Sequence, residues 1–237
     1  MDIETESRYM IGKNKDKEFK LEDYEEFYEH HQFIETSDED AINVHEIIPR
    51  FGWGFDMVEK HQPKNLLDLG TLDGSFPITI ARHFGIPCAG IDLTRDGINL
   101  ARERAARFGI QAKFAQGTIE ETLEEVIKEG TKFDMVTCFE VIEHVKDPKR
   151  LLKLIDQVLA PGGSVLISTP DFESPIYGKD DEQNKCHIRL YTTADKDYSA
   201  KNKYGNVRKA TSIVQEIGKE RIKEIGVYSH LINVRYE

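Results

Sequence analysis

The segment from Leu66 to Phe76 constrains the fold of this chain more than any other. An apolar run that contains Asp68 is followed by Gly70 and Gly74, and the residues after Gly74 can form a helix. A glycine-rich turn between a buried strand and a helix is typical of the first βαβ unit of a parallel sheet. The next apolar run ends near Asp92, where the second strand of that unit should end. The sequence therefore predicts an α/β sheet with two carboxylates at one edge.

The same loop predicts a nucleoside ligand that carries positive charge. A carboxylate about 20 residues beyond the glycine turn binds a ribose diol in such units, which gives this role to Asp92. Leu72 occupies the middle glycine position that a dinucleotide requires, and Asp68 favours a cation. S-adenosylmethionine fits, because it has an adenosine, a sulfonium and an ammonium group but no phosphate. For this loop alone, a glycine turn in another kind of α/β protein is the alternative.

Two later segments make the pattern specific as a set. A strand-like run at 133–138 is followed by Phe139 and the string E-x-x-E-H, and residues 159–170 contain an L-x-P-G-G turn. With the glycine loop, they resemble the class I S-adenosylmethionine-dependent methyltransferases over nearly half of the chain, from about Asn65 to Pro170. The resemblance implies an α/β fold with a Rossmann-like, doubly wound, mainly parallel sheet of seven strands. It also implies the following cofactor-binding residues: Asp68, Gly70, Thr71, Gly74, Asp92, Leu93, Gly117, Thr118 and Phe139.

Apolar runs alternate with amphipathic segments from Asn65 onward, as in a parallel sheet covered by helices. We predict five strands, near residues 65–69, 88–93, 111–115, 133–138 and 164–169. Val44 to Lys60 should supply the helix before the first strand. Apolar residues recur every three or four positions from Val207 to Ile225, which predicts an amphipathic helix. The last segment, 227–236, is β-rich and should complete the sheet.

The length of 237 residues favours one domain with additions. We predict an N-terminal helical cap or lid at 1–50 and an S-adenosylmethionine-binding methyltransferase domain at 51–237. The aromatic residues of the cap would pack on the core or form a lid over the acceptor. Residues 171–204 are polar and should emerge at the carboxyl edge of the sheet, where ligands bind. We expect this insertion to recognise the acceptor.

The net charge of −11 argues against general attraction to nucleic acid, and we expect a small-molecule acceptor. The densest basic run, at 102–107, is interpreted as a solvated helix face. Two of the three cysteines, Cys88 and Cys138, fall in predicted strands and should be small buried hydrophobes in a reducing compartment. No apolar run could cross a bilayer and no signal peptide begins the chain, so we expect a cytoplasmic protein. The sequence gives no prediction of the oligomeric state.

Candidate catalytic groups follow the fourth predicted strand. If Glu140, Glu143 and His144 begin a helix, their spacing places all three on one face, as a metal site or an acid/base cluster. The string resembles that of the ubiquinone-biosynthesis O-methyltransferases and of the small-RNA 2′-O-methyltransferases. That resemblance implies a divalent ion, Mg²⁺ or Mn²⁺, bound by these three residues and a later histidine, which would be His187. The alternative is metal-free chemistry in which His187 and His144 move protons.

These sequence features predict three alternative functions. The first is O-methylation of a small molecule, namely a sugar, a nucleotide-sugar or a phenolic metabolite. The second is metal-assisted RNA 2′-O-methylation, which the glutamate and histidine string favours and the acidity disfavours. The third is a non-catalytic cofactor-binding protein of the same fold. The third is suggested because Gly117 is followed by Thr118, where the resembling enzymes often place an aspartate that binds adenine.

Overall fold

A parallel β-sheet forms the centre of the computed structural model, which describes residues 41–170, 187–192, 207–209, 225–228 and 231–235. Its five strands are β1 (Leu66–Leu69), β2 (Cys88–Asp92), β3 (Ala112–Gln116), β4 (Phe133–Phe139) and β5 (Leu159–Ser168). They lie in the order β3-β2-β1-β4-β5, and each neighbouring pair is parallel. The order reverses between β1 and β4, where open α/β sheets bind their ligands. The predicted Rossmann-like α/β fold is thus confirmed.

Helices cover both faces of this sheet. They are α1 (Val44–Ile47), α2 (Pro49–His61), α3 (Ser75–Phe84), α4 (Arg95–Arg107), α5 (Ile119–Lys128) and α6 (Pro148–Val158). Successive strand residues point to opposite faces. Leu67 and Leu69 therefore pack with residues of α5 and α6, whereas Leu66 packs with residues of α2 and α3. Because the strands are buried on both faces, their sequences are continuous apolar runs.

The close packing of α2 explains its two glycines. A Cβ atom on Gly54 would lie 2.8 Å from Phe76 Cζ and 3.0 Å from Phe139 Cζ, so a larger residue would push α2 away from α3 and β4. Gly52 approaches the His45 carbonyl oxygen of α1 in the same way. The glycines made the helix start uncertain in the sequence, yet they are the residues that allow the contact. Most of the predicted cap at 1–50 lies outside the described residues.

Strand boundaries agree with the prediction within about two residues, except at β5. This strand begins at Leu159, because Leu159 pairs with Phe133 before a register shift in β4. The predicted buried cysteines are confirmed: Cys88 begins β2, Cys138 lies in β4, and burial raises the pKa of both thiols. No helix in the described part of the chain is both long enough and apolar enough to span a membrane.

The described residues of the carboxyl-terminal part form four short strands: β6 (Leu190–Thr192), β7 (Val207–Lys209), β8 (Ile225–Tyr228) and β9 (Leu231–Arg235). β6 and β7 pair in parallel, while β9 runs antiparallel to both β5 and β8. The predicted amphipathic helix is wrong at both ends, since Val207 lies in β7 and Ile225 in β8. Their backbone groups pair with other strands, and β-branched residues suit either structure. The intervening residues lie outside the described ranges, as does most of the 171–204 insertion.

Candidate functional site

Asp68 lies at the carboxyl end of β1 and is almost completely buried. Its Oδ1 atom accepts a 2.6 Å hydrogen bond from the Thr137 hydroxyl of β4. Burial raises the pKa of Asp68 to about 7, and the nearby Asp92 carboxylate adds to this effect, whereas the hydrogen bond from Thr137, the nearby Thr71 side chain and the charge of Arg50 oppose it. A cation placed beside Asp68 would therefore convert it to its charged form.

The loop after β1 turns tightly at Gly70. This residue has φ +72°, and a Cβ atom here would overlap Val141 Cγ2 in the segment after β4. Glycine is the residue that adopts this left-handed conformation without strain. The loop and the segment after β4 are consequently in direct contact at the centre of the sheet edge. Thr71 follows and is buried.

Leu72 also adopts a left-handed conformation, with φ +51°. Such angles are uncommon for a bulky residue and need support from their surroundings. That support comes from Asp92, whose Oδ2 atom accepts a 2.7 Å hydrogen bond from the Leu72 amide. The middle glycine position is therefore filled without losing the turn, because the carboxylate at the end of β2 holds the backbone.

Asp92 has a second set of protein partners. Its Oδ1 atom accepts hydrogen bonds from the Thr94 amide at 2.8 Å and from the Thr94 hydroxyl at 2.7 Å. Burial raises the pKa of Asp92, and these hydrogen bonds oppose that rise. A carboxylate has about four lone-pair sites, so part of its capacity for a ribose diol is already used. Leu93 is half-buried beside it.

An ion pair fixes the far side of the loop. Arg104 of α4 is buried and contacts Asp73, and it donates a 3.2 Å hydrogen bond to the Ser75 hydroxyl at the start of α3. The interpretation of 102–107 as a solvated face is wrong for Arg104, although Arg102 and Arg107 are exposed. The basic run did not indicate this role, because only one of its three arginines contacts the loop.

Thr118 caps α5 at the predicted adenine position. Its hydroxyl accepts a 3.3 Å hydrogen bond from the Glu121 amide and donates a 2.6 Å hydrogen bond to Glu121 Oε2. Thr118 is thus the N-cap of α5, with a glutamate three residues later whose carboxylate binds the threonine hydroxyl. Gly117, just before it, donates its amide to the Asp92 carbonyl at 2.9 Å, which ties the end of β3 to that of β2.

Phe139 and Arg50 lie on the side of α2. The Phe139 ring is buried among aromatic residues, with ring centroids 5.3 Å from Phe76 and 6.0 Å from Trp53. Arg50 lies over the Phe51 ring at 4.7 Å, and its charge acts on Asp68. Sequence reasoning missed Arg50, because a single arginine 18 residues before the carboxylate is recognisable only once α2 is placed. It adds a cation at the sheet edge, suited to a ligand carboxylate.

The segment after β4 is a turn, so the condition that Glu140, Glu143 and His144 begin a helix is not met. Residues 140–147 connect β4 to α6, and Glu140 has φ +57°. Glu140 is also drawn toward β5: its Oε1 atom accepts a 2.7 Å hydrogen bond from the Ser168 hydroxyl, and its amide binds the Ser168 carbonyl at 3.0 Å. These bonds explain why it is separated from the other two residues.

Glu143, His144 and His187 do meet. The Glu143 Oε1 atom lies 3.9 Å from His187 Nε2 and 4.0 Å from His144 Nε2, and the two imidazole centroids are 4.6 Å apart. One potential ligand atom from each residue lies within 4.8 Å of the others. Glu143 has no exposed surface, and its Oε2 atom accepts a 3.0 Å hydrogen bond from Thr169. Within the described ranges, this is the group of acidic and histidine side chains that could hold a metal ion.

Comparison with known proteins fits this arrangement. The model of the methyltransferase domain family matches residues 60–225, well over half of the chain. The chain belongs to this family. Its strand–glycine loop–helix unit and sheet order are those of the class I S-adenosylmethionine-dependent methyltransferases. The predicted family resemblance is confirmed.

Among curated relatives, the ubiquinone biosynthesis O-methyltransferase of Aeromonas salmonicida is 35% identical over 127 residues, which are 53% of this chain and 52% of that protein. The corresponding protein of Escherichia coli is 35% identical over 106 residues, with 45% and 42% coverage. The chain thus spans about half the length of the curated relatives it matches. A candidate caffeoyl-CoA O-methyltransferase from Staphylococcus aureus has a TM-score of 0.57 at 14% identity, over 90% of this chain and 98% of that chain. This last likeness concerns the fold.

Within this methyltransferase domain, Gly70 and Val141 connect the two halves of the candidate site. The loop from Asp68 to Gly74 would bind the methyl donor, and the turn that begins at Glu140 presents Glu143 and His144. The loop touches the turn at Val141, which precedes Glu143 of the cluster by two residues. The arrangement suits the activation of a group placed beside a methyl donor.

Proposed function

We propose that this protein transfers the methyl group of S-adenosylmethionine to a hydroxyl group of a small molecule, namely a sugar, a nucleotide-sugar or a phenolic metabolite. The observation that carries the proposal is the cluster of Glu143, His144 and His187. The turn that carries Glu143 and His144 also carries Val141, which lies against Gly70 of the glycine loop. A hydroxyl acceptor must lose its proton during transfer, and this cluster provides groups for that step. Its O-methyltransferase relatives support the same reaction class.

The donor site in this proposal uses the sheet edge. Asp68 pairs with the methionine ammonium, Asp92 accepts hydrogen bonds from the ribose, and Arg50 faces the methionine carboxylate. The left-handed loop leaves the backbone open to close approach. Adenine would lie between Leu93 and the Gly117–Thr118 turn. The Thr118 hydroxyl already caps α5, so at most one of its lone pairs is left for the adenine amino group.

On the acceptor side, His187 is proposed as the base and His144 as its neighbour in the proton path. Both imidazoles face the buried Glu143 carboxylate, which stabilises an imidazolium formed when a hydroxyl proton is taken up. Deprotonated oxygen is the better nucleophile for in-line displacement at a sulfonium. Glu143 is itself fixed by Thr169, so the charge does not need to reorganise during the reaction.

A divalent ion fits the same three residues. Two imidazole nitrogens and a carboxylate oxygen suit Mn²⁺ and tolerate Mg²⁺, and they lie within reach of one centre. A bound ion would lower the pKa of the acceptor hydroxyl. Glu140 would join only after leaving Ser168, so the proposed ligand set is Glu143, His144 and His187.

RNA 2′-O-methylation is the second candidate, because the cluster would serve a ribose hydroxyl equally well. A net charge of −11 disfavours it, since RNA binding depends on neutralising phosphates.

The test uses S-adenosylmethionine with a labelled methyl group, small hydroxyl acceptors of the three classes, and an RNA oligonucleotide. We expect transfer to a small acceptor and none to RNA, with loss of turnover in His187→Ala and normal turnover in the exposed-residue control His83→Ala. If a chelator also stops transfer and Mn²⁺ restores it, the metal is supported. If the chelator has no effect, His187 acts as a metal-free base. Bound S-adenosylmethionine without transfer to any acceptor would support the non-catalytic alternative.

A further inference from the structure

The turn after β4 has backbone carbonyls that no helix satisfies. Residues 140–147 form neither a helix nor a strand. Within this turn, the Val141 carbonyl accepts a 2.9 Å hydrogen bond from the His144 amide. Buried carbonyl groups need hydrogen-bond donors. In an irregular segment these donors must come from elsewhere in the chain, and their source determines what is held next to the turn.

Residues 188 and 189 supply the donors. The amides of Ile188 and Arg189 both bind the Glu143 carbonyl, at 3.1 and 3.3 Å. The Arg189 guanidinium donates to the carbonyls of Ile142 at 3.1 Å, Lys146 at 2.8 Å, and Val145. Four carbonyls within residues 142–146 of the turn are thus bound by two neighbouring residues.

The Arg189 side chain is only 5% exposed, so its hydrogen bonds are made inside the protein. A guanidinium group has several donors in a fixed plane, and it can bind three carbonyls that converge on one place. A lysine ammonium has all its donors on one nitrogen at the end of a flexible chain, so it would bind fewer of these carbonyls. The geometry therefore depends on arginine rather than on positive charge alone.

From these contacts we infer that Arg189 is the positioning residue for His187. Arg189 is two residues from His187 and fixes that segment to the turn carrying Glu143 and His144. His187 Nε2 thereby lies 3.9 Å from Glu143 Oε1, and its ring lies 4.6 Å from that of His144. The inference rests on the proposed function in taking this cluster as the reactive group. The hydrogen bonds themselves are independent of whether the group binds a metal or acts as a base.

The test compares the full-length wild type with Arg189→Gln and Arg189→Lys. The control is Arg150→Gln, because Arg150 is exposed and pairs with Glu124 on the surface. Two signals are measured: the nuclear Overhauser effect between the His144 and His187 ring protons in histidine-labelled protein, and Mn²⁺ binding by calorimetry. Binding of S-adenosylhomocysteine reports whether the donor site is intact.

In Arg189→Gln we expect loss of the ring-to-ring signal and an at least tenfold fall in Mn²⁺ affinity, with S-adenosylhomocysteine affinity within about twofold of wild type. Arg189→Lys should weaken both signals, and Arg150→Gln should change neither. Retention of the ring signal and of Mn²⁺ affinity in Arg189→Gln overturns the inference. If Arg189→Gln does not fold, Arg189→Lys decides: an unchanged ring signal overturns the inference and a weakened one supports it.

The same data separate this inference from the proposed metal. If the wild type binds no Mn²⁺ but its ring signal disappears in the variant, the metal proposal fails and the role of Arg189 stands. If wild type and Arg189→Gln bind Mn²⁺ equally and keep the signal, the metal stands and the role of Arg189 fails.

Discussion

The Leu72 amide donates a 2.7 Å hydrogen bond to Asp92 Oδ2, and this bond joins the loop after β1 to the end of β2. Asp92 thus shapes the loop, in addition to its proposed role in binding the ribose. Leu72 needs this support because its backbone is left-handed. The residue proposed to bind the ribose is also the residue that keeps the loop after β1 in place, so its two roles must be separated by experiment.

Replacing Asp92 by asparagine should weaken nucleoside binding about tenfold to a hundredfold. Hydrogen bonds to a charged acceptor are worth roughly 1.5–3 kcal/mol, which corresponds to this range. Asparagine keeps one oxygen, so the Leu72 or Thr94 bonds are partly preserved, unlike in Asp92→Ala. The measurement is calorimetry with S-adenosylhomocysteine and with 5′-methylthioadenosine, which has the ribose but lacks the amino-acid part.

Asp68→Asn is the matched variant for that experiment. It should weaken S-adenosylhomocysteine, which carries the ammonium group, and leave 5′-methylthioadenosine nearly unchanged, whereas Asp92→Asn should weaken both. Equal affinity of Asp92→Asn and wild type for 5′-methylthioadenosine would mean that Asp92 is only a loop support.

Gly70→Ala should abolish S-adenosylmethionine binding and lower the free energy of unfolding. The left-handed backbone costs an alanine roughly 1–2 kcal/mol, and the new Cβ atom would overlap Val141 Cγ2. Gly109→Ala is the control, because Gly109 has φ +63° and, among the described residues, no heavy atom beyond its chain neighbours within 4 Å of the added Cβ atom. The measurements are chemical denaturation and calorimetry.

Gly70→Ala should therefore cost more stability than Gly109→Ala, and the added mutation Val141→Ala should recover part of the difference. If Gly70→Ala binds S-adenosylmethionine normally, the loop from Asp68 to Gly74 is not the donor site.

The placement of the residues proposed to bind the donor could be predicted from sequence, because its signals are local. Asp68, Gly70 and Asp92 stand at fixed distances after apolar runs, and the structure places all three at one sheet edge. The Thr118 N-cap was equally predictable from sequence, as a threonine followed three residues later by glutamate. Its role at the start of α5 was overlooked because the position was considered only for adenine.

The acceptor side could be predicted less well, because it depends on long-range hydrogen bonds. The spacing of Glu140, Glu143 and His144 fits a helix face, but carbonyls of this turn are bound by Arg189, more than forty positions away. Glu140 accepts a hydrogen bond from the Ser168 hydroxyl, and no local sequence pattern predicts this bond. The meeting of Glu143, His144 and His187 was predicted from family resemblance, and the route by which the chain achieves it was not.

Affinity for S-adenosylmethionine should rise with pH up to about 7 and then level off. Burial raises the pKa of Asp68 from its ordinary value of 3.8 to about 7, so the free protein holds a proton there below that pH. A methionine ammonium favours the carboxylate and lowers its pKa in the complex, so binding releases this proton. Calorimetry from pH 5 to 8 in buffers of different ionisation enthalpy measures both effects.

The same shift predicts how the stability of the ligand-free protein depends on pH. The folded state holds the Asp68 proton more tightly than the unfolded state, so its contribution is fully present below about pH 4. It is lost as pH rises toward about 7. In Asp68→Asn both pH dependences should be reduced. If the variant and the wild type show the same pH dependence of affinity, another group takes up the proton.

Arg104 and Asp73 should be energetically coupled through the ion pair that fixes the loop to α4. Breaking a buried pair costs about 3–5 kcal/mol, and we expect about 2 kcal/mol for Arg104→Met because Asp73 is partly exposed. For a chain of this size that corresponds to a fall of roughly 4–8 °C in Tm. A double-mutant cycle with Asp73→Asn should give a coupling of at least about 1 kcal/mol, since the two residues share one contact.

Arg107→Met, an exposed change in the same helix, should have little effect. If Arg104→Met and Asp73→Asn are additive, the ion pair does not hold the loop, and the left-handed turn at Leu72 must be maintained by Asp92 alone.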